Sequence, residues 1–547
     1  MLDWENLTIA QALKEASTRW GDREGLLSKN ERLTYSDLFK RASQLAWGLT
    51  LLGIKKGDHV ATIFGAAAEW VITKYALHIV GCVIVPINVN LKAKEIEFIL
   101  KLADISTIIT VDKLRTGNYI EILGQIDTDI SLSTNKNKIR AKSLPILERI
   151  ICFSPEKIRY PFCHDFYDIM DSGQEFSRGI IDHMIEQGHS EDTCNILFTS
   201  GSTAFPKGVV HVHKSLLGIG EHLLGRTFNL DTTYRLLCNF PFYHIAGCVY
   251  LVLGALTSGC ALCVNEFVPD EVLYILQNEK INFFIGFDYH FNSLANHQQF
   301  HSYDLRSVSR ILLAVGPEWY DKCKKVFPNA EIVAHHYGFT EGTGVSVPES
   351  EKDYETRKNT NGRPWPGIEV KVVDHVTGDK LPANMGGELC LRGWSRFREY
   401  YKNPEETKKA IDSEGFFHSG DYGWMDEKGN VTYRGRYKMM IKTGGENVSE
   451  REVEVFLETI PGIKTVAVIG IPDPIWGEAV TAVIEAEPGT DLTKEKIAEF
   501  CKNKIARFKI PKNILLMDGK DWPILGSGKL DKNKIKEWAK EKLNLTQ

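Results

Sequence analysis

The chain has 547 residues, too many for one ordinary core, so two or more domains are expected. Hydrophobic residues make up 43% and charged residues 25%, the balance of a soluble globular protein. A net charge of −5 offers no global attraction to nucleic acid or to an anionic membrane.

The opening MLDWENLTIA is acidic and polar, unlike a secretory signal. TIAQALKEASTRW (8–20) has helical spacing, with Ile9, Leu13 and Ala16 on one face. HVATIFG (59–65) and CVIVPIN (82–88) are short β-branched runs that suit buried strands, and AAEWVITKYALHIVG lies between them as a helix. That β-α-β order predicts a parallel sheet covered by helices. SLSTNKNKIRAKS (131–143) is polar and reads as a mobile surface excursion. The most apolar region, 240–264, is interrupted by His244, Ser258 and glycines, so a buried helix followed by a strand is expected there rather than a membrane span. Its Cys260 and Cys263 form a lone CxxC without a second pair and read as core packing. Eleven cysteines without framework spacing, together with the absence of a targeting segment, point to the cytoplasm.

Near Arg436 the texture changes. VSEREVEVFLETI (448–460) opens with Ser449 and Glu452, a capping-box pattern at a helix start. KTVAVIG and AVTAVIEA follow as strands, then a helix over about 494–507, NILLM as a strand, and the charged amphipathic helix DKNKIKEWAKEKL. The expected organisation is α/β. A large N-terminal domain of several helix-covered sheets spans 1–437, and a small mobile α+β domain spans 438–547.

FTSGSTAFPKG (198–208) sits between NILF, which reads as a strand, and the alternating VVHVH. Glycines let backbone N–H groups approach a ligand, Ser and Thr add donors, and Lys207 supplies a point charge. The stretch is not a GxxxxGK[ST] P-loop, since no Ser or Thr follows the lysine. On these grounds a phosphate loop and a plain hairpin are equally good readings.

TSGSTAFPKG resembles the signature loop of the adenylate-forming superfamily, which holds acyl-CoA synthetases, adenylation domains and luciferases. YGFTE (337–341), HSGD (418–421), GRYKMMIKTGGEN (435–447) and GSGKLDK (526–532) resemble its later motifs in the right order, and PFYH (241–244) and AVGP (314–317) are looser matches. The resemblance covers nearly the whole chain. It implies attack of a carboxylate on the α-phosphate of ATP, giving an acyl-adenylate and pyrophosphate, and then displacement of AMP by the thiol of CoA. Neither step needs a protein nucleophile, so positioning and charge stabilisation carry the catalysis.

What the resemblance implies for individual residues is specific. Thr199, Ser200, Gly201, Ser202, Thr203 and Lys207 would hold the triphosphate, with Gly316 and Tyr337 also at the nucleotide. Thr340 would contact the α-phosphate and Glu341 would bind Mg²⁺. Asp421 would grip both ribose hydroxyls, with Arg436 close by. Lys529 would be the mobile catalytic lysine and Lys438 the hinge about which the C-terminal domain swings. Gly444, Gly445 and Glu446 would face CoA, and His244, Phe287 and Gly338 would line the acyl pocket.

The match departs in three places. Ala204 stands where the signature loop normally has glycine, the usual GGAP segment is AVGP here with Val315 in place of a glycine, and Asp288 replaces a common proline, flanked by bulky Phe287 and Tyr289. A remodelled cavity follows, suited to a medium-chain or compact alicyclic or aromatic acid. The competing readings are acyl transfer to a carrier-protein phosphopantetheine and a degenerate, non-catalytic nucleotide-binding protein. Neither nucleic acid nor stable membrane insertion is expected, and a homodimer stays open.

Overall fold

The computed structural model describes residues 4–199, 206–313, 319–348, 353–437, 440–443, 446–473, 476–490, 492–501, 504–505, 507–525 and 530–545. Two compact units emerge, one of residues 1–369 with 391–417 and another of 370–390 with 418–547.

The first unit holds two seven-stranded sheets. In one, His59–Ile63 pairs in parallel with Val83–Pro86 and Thr107–Val111, as the β-branched runs predict. The helix between the first two, Ala68–Val80, is buried almost all round, which explains its near-continuous apolar sequence. This sheet ends in an antiparallel hairpin of Thr193–Thr199 and Lys207–Val212. In the other sheet Ile332–His335, Arg310–Leu313, Phe283–Gly286, Arg235–Cys238 and Ala261–Val264 run parallel in that spatial order. The first predicted helix forms as Ile9–Arg19, and the Thr8 hydroxyl accepts from the Gln11 N–H in a capping box.

The apolar stretch at 240–264 resolves into a π-helical segment Ala246–Leu251, a helix Val252–Ser258 and the strand Ala261–Val264, all buried. Among the described residues no helix is long and apolar enough to cross a membrane. Cys260 and Cys263 are free and buried, as are the other nine cysteines. The polar stretch 131–143 is largely exposed, as its composition suggests, but it is tethered. Ile139 is buried, and the Ser143 N–H and hydroxyl both donate to Asp127 at 2.8 and 2.9 Å, pinning the segment at its far end.

The second unit shows strand periodicity plainly. In Ile463–Asp473, Val466 and Val468 join one core while Ala467, Ile469 and Ile471 join another on the opposite face. The helices Glu450–Leu457 and Lys494–Cys501 cover the first core, and Lys532–Lys542 covers the second through Ile535 and Ala539. The helix expected over 494–507 is described only to Cys501, and a 3-10 turn occupies Arg507–Lys509. A four-stranded sheet of Ile368–Val373, Gly387–Gly393, Phe417–Met425 and Val431–Arg436 precedes this body in the chain.

Candidate active site

The hairpin that carries the signature stretch closes with Thr199 opposite Lys207 and Phe198 opposite Gly208. Ser200, Gly201, Ser202, Thr203 and Ala204 lie outside the described residues, so the structure fixes the two stems and the lysine. Lys207 Nζ donates to Glu406 at 2.5 Å and stands 4.9 Å above the ring of Tyr400. Two hydrogen bonds from Lys207 and Lys409 hold the Glu406 carboxyl at about 2, well below the usual carboxylate range.

Tyr400 reaches this position because residues 398–401 run along the hairpin's outer strand. Val210 N–H donates to Glu399, Arg398 N–H to Val210 and Tyr401 N–H to Gly208, which sets Tyr400 opposite Val209. The buried Tyr400 hydroxyl then donates to Glu341 Oε1 at 2.9 Å. Among the described residues the other carboxylate oxygen of Glu341 makes no hydrogen bond. One oxygen oriented and one available is a donor set that fits a hard cation such as Mg²⁺. Lys207 and Glu341 are thus linked through Tyr400, a residue that sequence reasoning missed. Nothing in EYYKNPEE marks it, because its partner Glu341 lies 59 positions away.

The YGFTE segment is held as a tight loop. Tyr337 exchanges backbone bonds with Ser346 and Val345, Gly342 pairs with Arg396, and Phe397 N–H donates to the Glu341 carbonyl at 2.7 Å. Thr340 and Glu341 are half-buried at its turn. A Cβ on Gly338 would lie 2.4 Å from the His336 ring and 2.9 Å from the Thr343 carbonyl, so only glycine fits without rearrangement. Burial pushes the His336 imidazole down to about 3, so it stays neutral.

Three of the expected pocket and nucleotide positions follow neighbouring parallel strands. Gly286, Leu313 and His335 are aligned across the sheet as the last residues of their strands. Phe287 and Tyr337 with Gly338 therefore leave the sheet at its carboxyl edge. That edge is where open α/β sheets bind ligands. Gly316 and Val315 lie outside the described residues, as do the side chains of Asp288 and Tyr289. Phe287 packs edge-on against Phe240 at 5.3 Å. His244, four residues on from Phe240, is exposed, and its Nδ1 accepts from Ala246 N–H at 3.3 Å, capping the π-helical segment.

In the second unit Asp421 and Arg436 are directly opposed on adjacent antiparallel strands, and Arg436 Nε contacts the Asp421 carboxylate at 3.0 Å. Asp421 is buried while the Arg436 side chain is half exposed. Ser419 shapes the approach: its hydroxyl donates to the Leu389 carbonyl at 2.6 Å and accepts from Asp421 N–H at 3.0 Å. Lys438 lies outside the described residues, between the strand ending at Arg436 and the one beginning at Met440. Thr443 pairs with Glu446, so Gly444 and Gly445, themselves outside the described residues, are the only residues between them; the Glu446 side chain is likewise outside.

Lys529 is outside the described residues too, but its frame is defined. Ile524 bridges Leu530, and Asp531 N–H donates to the Pro523 carbonyl at 2.8 Å, closing the base of that segment. Lys532, the other lysine of GSGKLDK, is committed elsewhere: it pairs with Glu450 at 2.7 Å and Glu454 at 2.6 Å. It anchors the segment to the helix Glu450–Leu457.

With these positions in view, residues 13–401 match the family model described as AMP-binding enzyme, and residues 452–529 match its C-terminal domain. The chain belongs to the AMP-binding enzyme family. Among its relatives, YngI of Bacillus subtilis (strain 168), which carries the name of an acyl-CoA synthetase, is 31% identical over 98% of both chains. The mitochondrial medium-chain acyl-CoA ligase ACSF2 of Bos taurus is 29% identical over 100% of this chain and 89% of its own. This AMP-binding enzyme also shares its fold with ATP-bound MatB from Rhodopseudomonas palustris, at a TM-score of 0.83 and 22% identity over 97% of this chain and 99% of that one.

Proposed function

We propose that this AMP-binding enzyme is an ATP-dependent carboxylic acid–CoA ligase. It activates a carboxylate as the acyl-adenylate, releases pyrophosphate, and passes the acyl group to CoA with loss of AMP. The observation that carries this reading is the linkage of Lys207 to Glu341 through Tyr400, which sets a cation and a carboxylate around one rigid ring beside the signature hairpin. Lys207 with the 199–203 stretch takes the departing pyrophosphate, Thr340 the α-phosphate, and Asp421 with Arg436 the ribose side. Mg²⁺ held by Glu341 would neutralise charge on the phosphate oxygens.

Carboxylate activation needs charge stabilisation rather than a nucleophile, and the site offers that. Lys529 reaches the reacting oxygens in the first half-reaction. Residues 438–547 then turn about Lys438 to present Gly444, Gly445 and Glu446 to the pantetheine arm. The two family models leave 402–451 between them, and Lys438 falls in that interval. Phe287, His244 and Gly338 bound the acyl pocket. The medium-chain name of the Bos taurus relative and the packed Phe240–Phe287 pair support a medium-chain or compact cyclic acid. Eleven free, buried cysteines suit a reducing compartment such as the cytoplasm.

The test is pyrophosphate release with Mg-ATP across short, medium, long, alicyclic and aromatic acids, with and without CoA, with the thioester detected by mass. Acid-dependent release with an acyl-CoA product is expected, strongest for medium-chain or cyclic acids. Release that yields only adenylate would replace CoA with another acceptor, and strong activity on palmitate alone would remove the compact-acid assignment.

A further inference from the structure

The strand Gly387–Gly393 carries a second cluster of reactive side chains that adenylate chemistry does not use. Glu388 and Cys390 are two residues apart on this strand and so point to the same face of the sheet. On the neighbouring strand Phe417–Met425, His418 comes within reach of both: its Nδ1 lies 3.0 Å from Glu388 Oε2 and 3.4 Å from Cys390 Sγ. His375, two residues beyond the strand on the other side, brings its Nδ1 to 3.6 Å from the same Glu388 oxygen. The carboxylate, thiol and imidazole donors of Glu388, Cys390 and His418 all fall within 4.8 Å of one another.

We propose that Glu388, Cys390 and His418, with His375 as a fourth donor, form a binding site for a zinc-class divalent cation. The donor set decides the class, because a thiolate with imidazole and carboxylate suits zinc and its neighbours and does not suit Mg²⁺ or Ca²⁺. The spacing agrees. Tetrahedral bonds of about 2.0 to 2.3 Å place neighbouring donors about 3.3 to 3.8 Å apart, since each edge is about 1.6 times the bond. The two His418 separations, 3.0 Å to Glu388 and 3.4 Å to Cys390, lie within about 0.3 Å of that range, whereas His375 is near Glu388 alone and would have to swing in to complete the set.

The surroundings favour the same geometry. Gly420 N–H donates to Glu388 Oε1 at 2.8 Å, which orients the carboxylate and directs its other oxygen at the imidazole. His375 is itself steadied by stacking on Tyr437 at 4.4 Å. A hydrogen-bonded His418–Glu388 pair alone would explain neither the buried sulfur against Nδ1 nor the second imidazole. Binding balances in protons: the ion replaces the proton at His418 Nδ1, which the other ring nitrogen can carry, and displaces the Cys390 thiol proton to solvent. Cys390 and Glu388 are buried, while the His418 side chain is 32% exposed and His375 51%, which leaves an entry path on the imidazole side.

The full chain, stripped with a chelator, is titrated with Co²⁺ and then with Zn²⁺. The expected result is a saturable cobalt complex with a thiolate charge-transfer band in the near ultraviolet, displaced by zinc. Cys390→Ala loses the band. His375→Ala, made at a half-exposed position that tolerates change, keeps the band and weakens binding roughly tenfold or more. Absence of a thiolate band in the unmodified chain overturns the site, as does equal cobalt and zinc affinity in the unmodified chain and both variants. These readouts do not depend on ligase activity, so failure of the metal site and failure of the ligase reading are separable.

Discussion

Lys207 and Glu341 are joined through a single side chain: the Lys207 ammonium lies 4.9 Å above the ring of Tyr400, and the hydroxyl of that ring donates to Glu341 at 2.9 Å. The same ammonium is paired with Glu406 at 2.5 Å. On the proposed function, a triphosphate at the hairpin competes with a carboxylate for Lys207.

That competition has a measurable consequence. Glu406→Gln removes the rival while leaving the hairpin pairing in place. A partly exposed ion pair of this kind is worth about 0.2 to 1 kcal/mol, so KM for ATP should fall up to about fivefold in steady-state pyrophosphate release. An unchanged or raised KM would show that Lys207 does not hold the triphosphate.

Asp421 is a buried carboxylate in contact with Arg436, and the proposed function gives it the two ribose hydroxyls. Hydrogen bonds to a charged group are worth about 1.5 to 3 kcal/mol. The unmodified enzyme should therefore prefer ATP over 2′-deoxy-ATP by about 10- to 100-fold in kcat/KM. Asp421→Ala should lower kcat/KM for ATP and bring that ratio close to one. If the preference survives the substitution, the ribose grip belongs to another residue.

Much of this frame was legible in the sequence. The stems of the hairpin, the parallel strands at 59–63 and 83–86, and the two-faced strand 463–473 all follow from local periodicity, because each needs only neighbours in the chain. The resemblance placed Lys207, Glu341 and Asp421 in order. It could not give Tyr400 or Glu406, whose contacts span 59 and 199 residues. Nor does spacing alone distinguish Lys529 from Lys532, since only the fold ties Lys532 to Glu450 and Glu454.

Buried histidines give the protein a defined acid limit. Burial pushes His211, His213 and His336 down to about 3, and His222 and His290 to about 4. An unfolded histidine binds its proton near pH 6.5, so between about 6.5 and 4 the unfolded chain holds more protons than the folded one. Stability is then full above about 6.5 and falls as pH drops, by about 1.4 kcal/mol per unit for each such histidine well below that value. Glu406, held at about 2, contributes little to this window, because its stabilisation is lost as pH falls from about 4.5 through about 2. Calorimetry should show the unfolding temperature dropping steeply between about pH 6.5 and 5. His211→Leu should flatten that slope, since neither ring nitrogen of His211 has a hydrogen-bond partner to lose among the described residues. A flat profile over this range would mean that these rings are already protonated in the folded state.

The role proposed for Lys529 would separate the two half-reactions. Its segment is closed at the base by the Ile524–Leu530 bridge and anchored through Lys532 to the helix Glu450–Leu457, so a substitution at 529 leaves those supports intact. Loss of one charge contact at the reacting oxygens should slow adenylation by about 10²–10³-fold, by analogy with a deleted oxyanion donor. Thioester formation from a supplied acyl-adenylate needs no such contact if the C-terminal part has turned away by then. Lys529→Ala should therefore abolish most acid-dependent pyrophosphate release and largely spare CoA acylation from the preformed adenylate. Equal loss of both in a folded variant would place Lys529 in the second half-reaction as well, and would remove the turn about Lys438 from the mechanism.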